Sequence, residues 1–270
     1  MPIRRQVFMP ELPDVERFRM YLDATSLHQE VSAVKVHDAD VLREVPAQKF
    51  RSALGGGSFE ATSRHGKFLF VHLESSPLLV LHFGMTGYLD YAADDRRLPQ
   101  HTRVVFHFVG GHRLAYVCQR KLGRVTLAEK REGFIAQHHL GPDALDGHFT
   151  LKAFARRLAG RRSVAKSALM DQSILAGVGN IYADEILYQA GIAPNRRVSD
   201  MDKTDLRDLY RAMRRVLKTA IRNKAEISRL PRTYLLRRRD ADGQCPRCGY
   251  ELKTARIAGR GTYFCSRCQT

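Results

Sequence analysis

Four cysteines near the C-terminus have the clearest chemistry: Cys245-Pro-Arg-Cys248 and Cys265-Ser-Arg-Cys268, in the spacing C-x2-C-x16-C-x2-C. Two such knuckles offer four thiolates to one tetrahedral zinc, and the residues between them have the length of a β-hairpin. Protein fills every position, so the expected ion is structural and leaves no open site for a catalytic water. Its part would be to support hairpin residues such as Arg256, Arg260 and Tyr263. The remaining cysteine, Cys118, reads as a small inert hydrophobe rather than a reactive thiol.

A second group is the run of cations from Arg207 to Arg239, twelve Lys and Arg against only Asp208 and Glu226. Arg207, Arg211, Arg214 and Lys218 recur every three or four residues and would line one helix face. A charge run is ordinarily a solvated face. One sign alone repels itself, however, which favours a phosphate-bearing partner. A third is the turn Leu175-Ala-Gly-Val-Gly-Asn180 between two helical patterns. It reads either as a tight helix–helix turn or as backbone N–H groups presented to an anion at a helix N-terminus.

The elements that must position these groups are legible in outline. The chain has 270 residues, 44% of them hydrophobic, and a formal net charge of +17, which points to a polyanionic partner. No apolar run approaches the roughly 18 residues of a spanning helix, and no signal-peptide core follows Met1. The expectation is a cytoplasmic protein that makes no use of a membrane. A helix is predicted from Glu11 to about Leu27. Strands follow at Val31–Val36, Lys67–Leu73, Leu78–Phe83, Arg103–Val109 and Arg113–Val117, the pattern of an antiparallel sandwich. Helical periodicity then runs from Leu151 to Lys224, broken at Gly160, at Gly177–Gly179 and at Gly191–Pro194, with a last helix over Asp200–Asn223. The expected class is α+β in two domains. Residues 1–133 would form the N-terminal β-sandwich, 134–150 a linker, 151–235 a helical domain for the phosphate-bearing partner and 236–270 a zinc-ribbon hairpin.

Met9-Pro-Glu-Leu-Pro-Asp-Val-Glu16, Arg64-His-Gly-Lys67, His82-Phe-Gly-Met85-Thr-Gly87, Leu140-Gly-Pro-Asp143 and Met170–Glu185 follow in one order, ending at the cysteine ribbon with Arg260 before Thr262-Tyr-Phe-Cys265. In these blocks, which cover nearly the whole chain, the sequence resembles the formamidopyrimidine-DNA glycosylases and their endonuclease VIII relatives. The resemblance implies a helix–two-turn–helix element and a base-excision repair enzyme that takes damaged double-stranded DNA, as a monomer, in a cleft between domains. The damaged nucleotide would be flipped out of the stack. Pro10, as an N-terminal secondary amine, would attack the sugar C1′, form a Schiff base and break the strand by elimination. Glu11 would shuttle protons, and Lys67 and Arg260 would engage the flanking phosphates. His101, Arg120, Arg161 and Asn180 match positions that contact the DNA backbone or its gap, and Met85 matches the apolar wedge. Taken singly, Glu11 also suits a helix N-terminus, Lys67 a strand edge and His101 an ordinary loop.

The sequence departs from that pattern in four places. Met1–Phe8 precede Met9, and while they remain Pro10 has an amide nitrogen without a nucleophilic lone pair; a start at Met9 is expected. Asp14 stands where the family carries glutamate. Cys118 replaces an aspartate, and Leu122 replaces the phenylalanine that helps fill the gap left by the flipped base. The segment Asn223–Gln244 is short where relatives that clasp oxidised purines carry a longer loop. The alternative to an enzyme is a zinc-containing DNA-binding relative that has lost the chemistry; a zinc-ribbon RNA-associated protein rests on charge and metal alone.

Overall fold

The computed structural model describes residues 9–74, 77–240 and 242–270, in two compact units. Expectations for Met1–Phe8 lie outside the described residues.

Among the described residues, the first unit comprises Met9, Pro10 and Asp14–His138. Helix α1 (Leu12–Ser26) enters it at Asp14 and turns Val15, Phe18 and Leu22 onto one buried side. The elements that follow are β1 (Val31–Val36), α2 (Ala47–Leu54), β2 (Phe59–His65), β3 (Phe68–Leu73), β4 (Leu78–His82), β5 (Gly87–Ala93), β6 (Thr102–Phe108), β7 (His112–Cys118), β8 (Arg124–Ala128) and α3 (Arg131–Gln137). Two four-stranded antiparallel sheets result, in the orders β1-β6-β7-β5 and β2-β3-β4-β8. Successive strand residues point to opposite faces. Leu69, Val71, Leu79 and Leu81 from one sheet therefore meet Val104, Phe106, Leu114 and Tyr116 from the other in one core. The opposite face of the second sheet is covered by α3, whose Phe134 packs edge-on against Phe68 and Phe70. Cys118 is buried in the core, as expected of a small hydrophobe.

The second unit comprises Glu11–Pro13 and His139–Thr270. The 134–150 stretch expected as a linker is divided: it finishes α3, and its later residues Ala144 and Phe149 are buried in the helical core. Of the helices α4 (Leu151–Leu158), α5 (Ala165–Met170), α6 (Asn180–Ala190) and α7 (Lys203–Arg222), α5 and α7 pack on α6, which is buried from Ile181 to Tyr188, and α4 packs on α7. The predicted breaks fall between these helices. Thr150 caps α4 with its side chain, Gly191 ends α6 in the left-handed region, and Asp202 with Asp205 forms a capping box on α7. The chain closes with the hairpin β9 (Lys253–Ile257) and β10 (Arg260–Phe264), flanked by the two cysteine knuckles. Among the described residues, no helix is long and apolar enough to cross a membrane.

Candidate active site and zinc centre

Lys67 occupies the two-residue turn between β2 and β3, after Gly66 at φ +56°. Arg64 braces that turn: its Nη1 donates to the Gly66 carbonyl at 3.0 Å and its Nε to Glu16 Oε2 at 3.0 Å. Burial works against the Glu16 charge, but Arg19 and Arg64 hold its carboxyl below the ordinary value. At the end of β4, burial pushes the His82 imidazole down to about 4, and Lys67 and Arg124 push the same way. His82 is therefore neutral near pH 7, and its Nδ1 accepts from the Gly84 N–H at 3.3 Å.

Met85 and Arg120 are brought together by close backbone approach. A Cβ on Gly84 would stand 2.4 Å from the Leu122 carbonyl carbon, so only glycine lets the Gly84-Met85-Thr86 turn lie against the β7–β8 loop. Thr86 Oγ1 accepts from the Arg120 N–H at 3.1 Å. Leu122 is 50% exposed at this loop, an unusual place for a large apolar side chain. His101 supports the same loop through its carbonyl, which accepts from the Cys118 N–H at 3.1 Å. A brace absent from the sequence reading completes the arrangement. Asp38 takes Lys121 Nζ at 2.7 Å and Arg103 Nη1 at 2.9 Å, while Arg103 Nε donates to the Cys118 carbonyl.

In the second unit the N-terminus of α6 organises the candidate residues. Glu11 is 1% exposed, and its carboxylate accepts from the Gly179 N–H at 2.6 Å and the Ile181 N–H at 2.9 Å. The anion expected at this helix end is thus the chain's own Glu11 carboxylate, fixed where N–H groups and the helix dipole favour negative charge. Gly177, at φ +116°, accepts from the Leu12 N–H, and a Cβ there would meet Leu12 Cδ1 at 2.5 Å. Asn180 Nδ2 donates to the Gly261 carbonyl at 3.2 Å, which places exposed Arg260 beside the same helix end. The Asn180 Oδ1 is buried with no partner among the described residues. Arg161, beyond α4, donates its Nε to the Arg157 carbonyl, and among the described residues no hydrogen bond or ion pair joins it to the α6 end.

Beneath Arg260 lies a buried polar network that the sequence reading missed. Lys166 Nζ reaches Asp184 Oδ1 and Thr262 Oγ1, both at 2.6 Å, and Arg239 reaches Asp184 Oδ2 at 3.2 Å. Desolvation pushes Lys166 below its ordinary value and Asp184 above, while their contact opposes both shifts. Joining α5, α6 and β10, this network fixes the hairpin end that carries Arg260.

The four cysteine sulfurs lie within 4.8 Å of one another, with Cys245–Cys268 at 3.7 Å and Cys248–Cys265 at 3.6 Å. Thiolates 2.3 Å from one tetrahedral zinc stand about 3.8 Å apart, so the cluster fits a single structural ion. The Tyr188 hydroxyl lies 3.4 Å from Cys245 Sγ, within reach to donate to a metal-bound thiolate.

Residues 9–125 match the family model of the formamidopyrimidine-DNA glycosylase N-terminal domain, 140–231 that of the formamidopyrimidine-DNA glycosylase H2TH domain, and 244–270 a zinc finger found in FPG and IleRS. The chain belongs to the formamidopyrimidine-DNA glycosylase family. Family members include the formamidopyrimidine-DNA glycosylase of Moorella thermoacetica, 38% identical over 92% of this chain and 95% of that protein. That of Desulforamulus reducens is 32% identical over 97% of this chain and 99% of its own. Among solved structures, the Lactococcus lactis glycosylase bound non-covalently to DNA containing an AP site superposes with a TM-score of 0.89. It is 26% identical, over 97% of this chain and 100% of that one. The H2TH match spans α5, the glycine turn and α6, the segment that holds Glu11 and Asn180.

Proposed function

We propose that this chain is a base-excision repair DNA glycosylase with AP lyase activity, acting as a monomer on damaged double-stranded DNA in the cytoplasm. The observation that carries the reading is the Glu11 carboxylate, held by two main-chain donors one residue after Pro10 and beside Asn180. The nitrogen of an N-terminal Pro10 bonds to the sugar C1′ as the bond to the base breaks. The electron pair leaves with the base, which takes a proton. Opening of the sugar ring gives the Schiff base. Loss of a C2′ proton then expels the 3′ phosphate and nicks the strand. An α-amine titrates near pH 8, so about a tenth of it is already neutral and nucleophilic at pH 7. Glu11 moves protons at the sugar, and Lys67 and Arg260 stabilise the flanking phosphates. Met85 and Arg120, with Leu122, fill the gap in the stack; His101, Arg161 and Asn180 hold the backbone. The domain roles follow: residues 9–133 carry Pro10, Lys67 and the gap-filling loop, 151–235 the helical clamp, and 236–270 the zinc hairpin.

The test is borohydride trapping on duplex DNA with an abasic site, using the protein prepared once from Pro10 and once from Met1, each N-terminus verified by intact mass. A covalent adduct from the Pro10 form alone is the expected result, because an amide nitrogen at Pro10 cannot form the Schiff base. Tight DNA binding with no adduct from either form would overturn the lyase reading in favour of a non-catalytic clamp.

A further inference from the structure

Helix α7 buries Leu209, Ala212, Met213, Val216, Leu217 and Ala220 against the helical core. On its solvent side Arg211, Arg215, Lys218 and Arg222 are all exposed. Their spacing of four, three and four residues keeps them within a wedge of roughly 60° and along roughly 16 Å of helix. None has a carboxylate at ion-pair distance among the described residues. The acids of α7 lie in its first turns, where Asp205 is taken by Arg196 and Asp208 by Arg207. Arg207 and Arg214, expected on the same face, are half-buried, and Arg214 donates to the Asp146 carbonyl and leans over the Tyr210 ring. What remains is a row of like charges whose mutual repulsion weakens the helix unless a polyanion neutralises it.

We propose that this row is a second docking surface for double-stranded DNA, engaged through phosphates without sequence readout. Its cations sit on the side of α7 opposite to the one packed on α6, the helix whose N-terminus holds Glu11 and Asn180, so it is separate from the candidate site in this unit. A membrane-lying helix sets bulky apolar side chains beside its cations, whereas the apolar side of α7 is committed to the core. Single strands are held by aromatic stacking, and the row contains no aromatic residue. Duplex DNA, with one charge per roughly 1.7 Å of axis, matches a line of cations that reads no bases.

The inference stands apart from the lyase chemistry, although its test uses the loaded site. A duplex carrying an uncleavable abasic analogue is immobilised and saturated with protein, and a labelled undamaged duplex is then passed over it. The wild type should capture the second duplex with a log–log salt slope of about −3.6, or −0.9 for each of four phosphates. The variant R211Q/R215Q/K218Q/R222Q, which keeps good helix formers, should load equally but capture at least tenfold less. Equal capture and slope by the variant would overturn the proposal, as would no capture by the wild type at low salt. Capture of phosphatidylserine vesicles where the second duplex is not held would also overturn it. Should the first duplex fail to load, the lesion reading fails instead. The row is then judged on free protein with undamaged duplex, where the variant must flatten the slope by about 3.6.

Discussion

Glu11 shows what single residues do here. Its backbone leads from Pro10, while its carboxylate is immobilised by the N–H groups of Gly179 and Ile181. A group so fixed moves a proton without first paying to order itself. Glu11→Gln keeps the volume but loses both the charge and one of the two acceptors. Base release in single-turnover assays should fall by about 10²–10⁴-fold, with duplex affinity changed only a few-fold. Release at the wild-type rate would remove Glu11 from the proton chemistry. The four cysteines were legible because their spacing is local in the chain, and the family blocks placed Glu11, Lys67 and Arg260. The anchor of Glu11 was not legible: its donors lie 168 and 170 residues away and become neighbours only in the fold.

At the scale of elements, hydrophobic alternation placed β1 residue for residue and set β3, β4, β6 and β7 to within a residue or so at each end. It missed β2, whose Glu60-Ala-Thr-Ser-Arg64 segment has little apolar character and is held by pairing with β3, together with β5 and the short strand β8. The supports of the two functional loops were hidden for the same reason, since Asp38 meets Arg103 and Lys121, and Lys166 meets Asp184, across long sequence separations. Asp38 is kept below its ordinary pKa first by the Lys121 contact. Asp38→Asn should cost about 1 kcal/mol, the scale of a partly exposed ion pair. The larger expected effect is functional. With Lys121 and Arg103 released, the loop bearing Arg120 and Leu122 loosens, and discrimination among the four bases opposite a lesion should shrink several-fold. Trapping at abasic sites should not change; unaltered discrimination would show that the brace does not tune the loop. Lys166→Met leaves Asp184 buried with only Arg239 and the Tyr263 N–H to offset its charge and should destabilise the second unit by about 3 kcal/mol, read by denaturant unfolding. Early proteolysis at the β9–β10 hairpin is expected with it, and wild-type stability would mean the network adds nothing to the hairpin's anchorage.

For the whole molecule, net charge and family order were readable from sequence, whereas pH dependence was not, because it arises from burial. Glu185 is fully buried in α6, accepts from Gln189 Nε2 and the Leu236 N–H, and has Arg247 nearby. Desolvation outweighs those partners and raises its pKa from 4.5 to about 7. Between those two values the folded chain binds more protons at this residue than the unfolded chain does. Stability contributed by Glu185 is therefore complete below pH 4.5, declines as pH rises through 7, and is level above it. The span corresponds to about 3 kcal/mol. Glu16, Asp38 and Asp171, with lowered pKa values, act in the opposite sense and lose their contribution as the solution turns acidic. Comparing wild type with Glu185→Gln isolates the first effect, since the amide retains an acceptor for the Leu236 N–H and carries no charge. The difference in unfolding free energy should move in favour of the variant by about 3 kcal/mol between pH 4.5 and pH 8. A difference that stays constant with pH would mean that Glu185 titrates alike in the folded and unfolded chain, and that its burial is relieved by water.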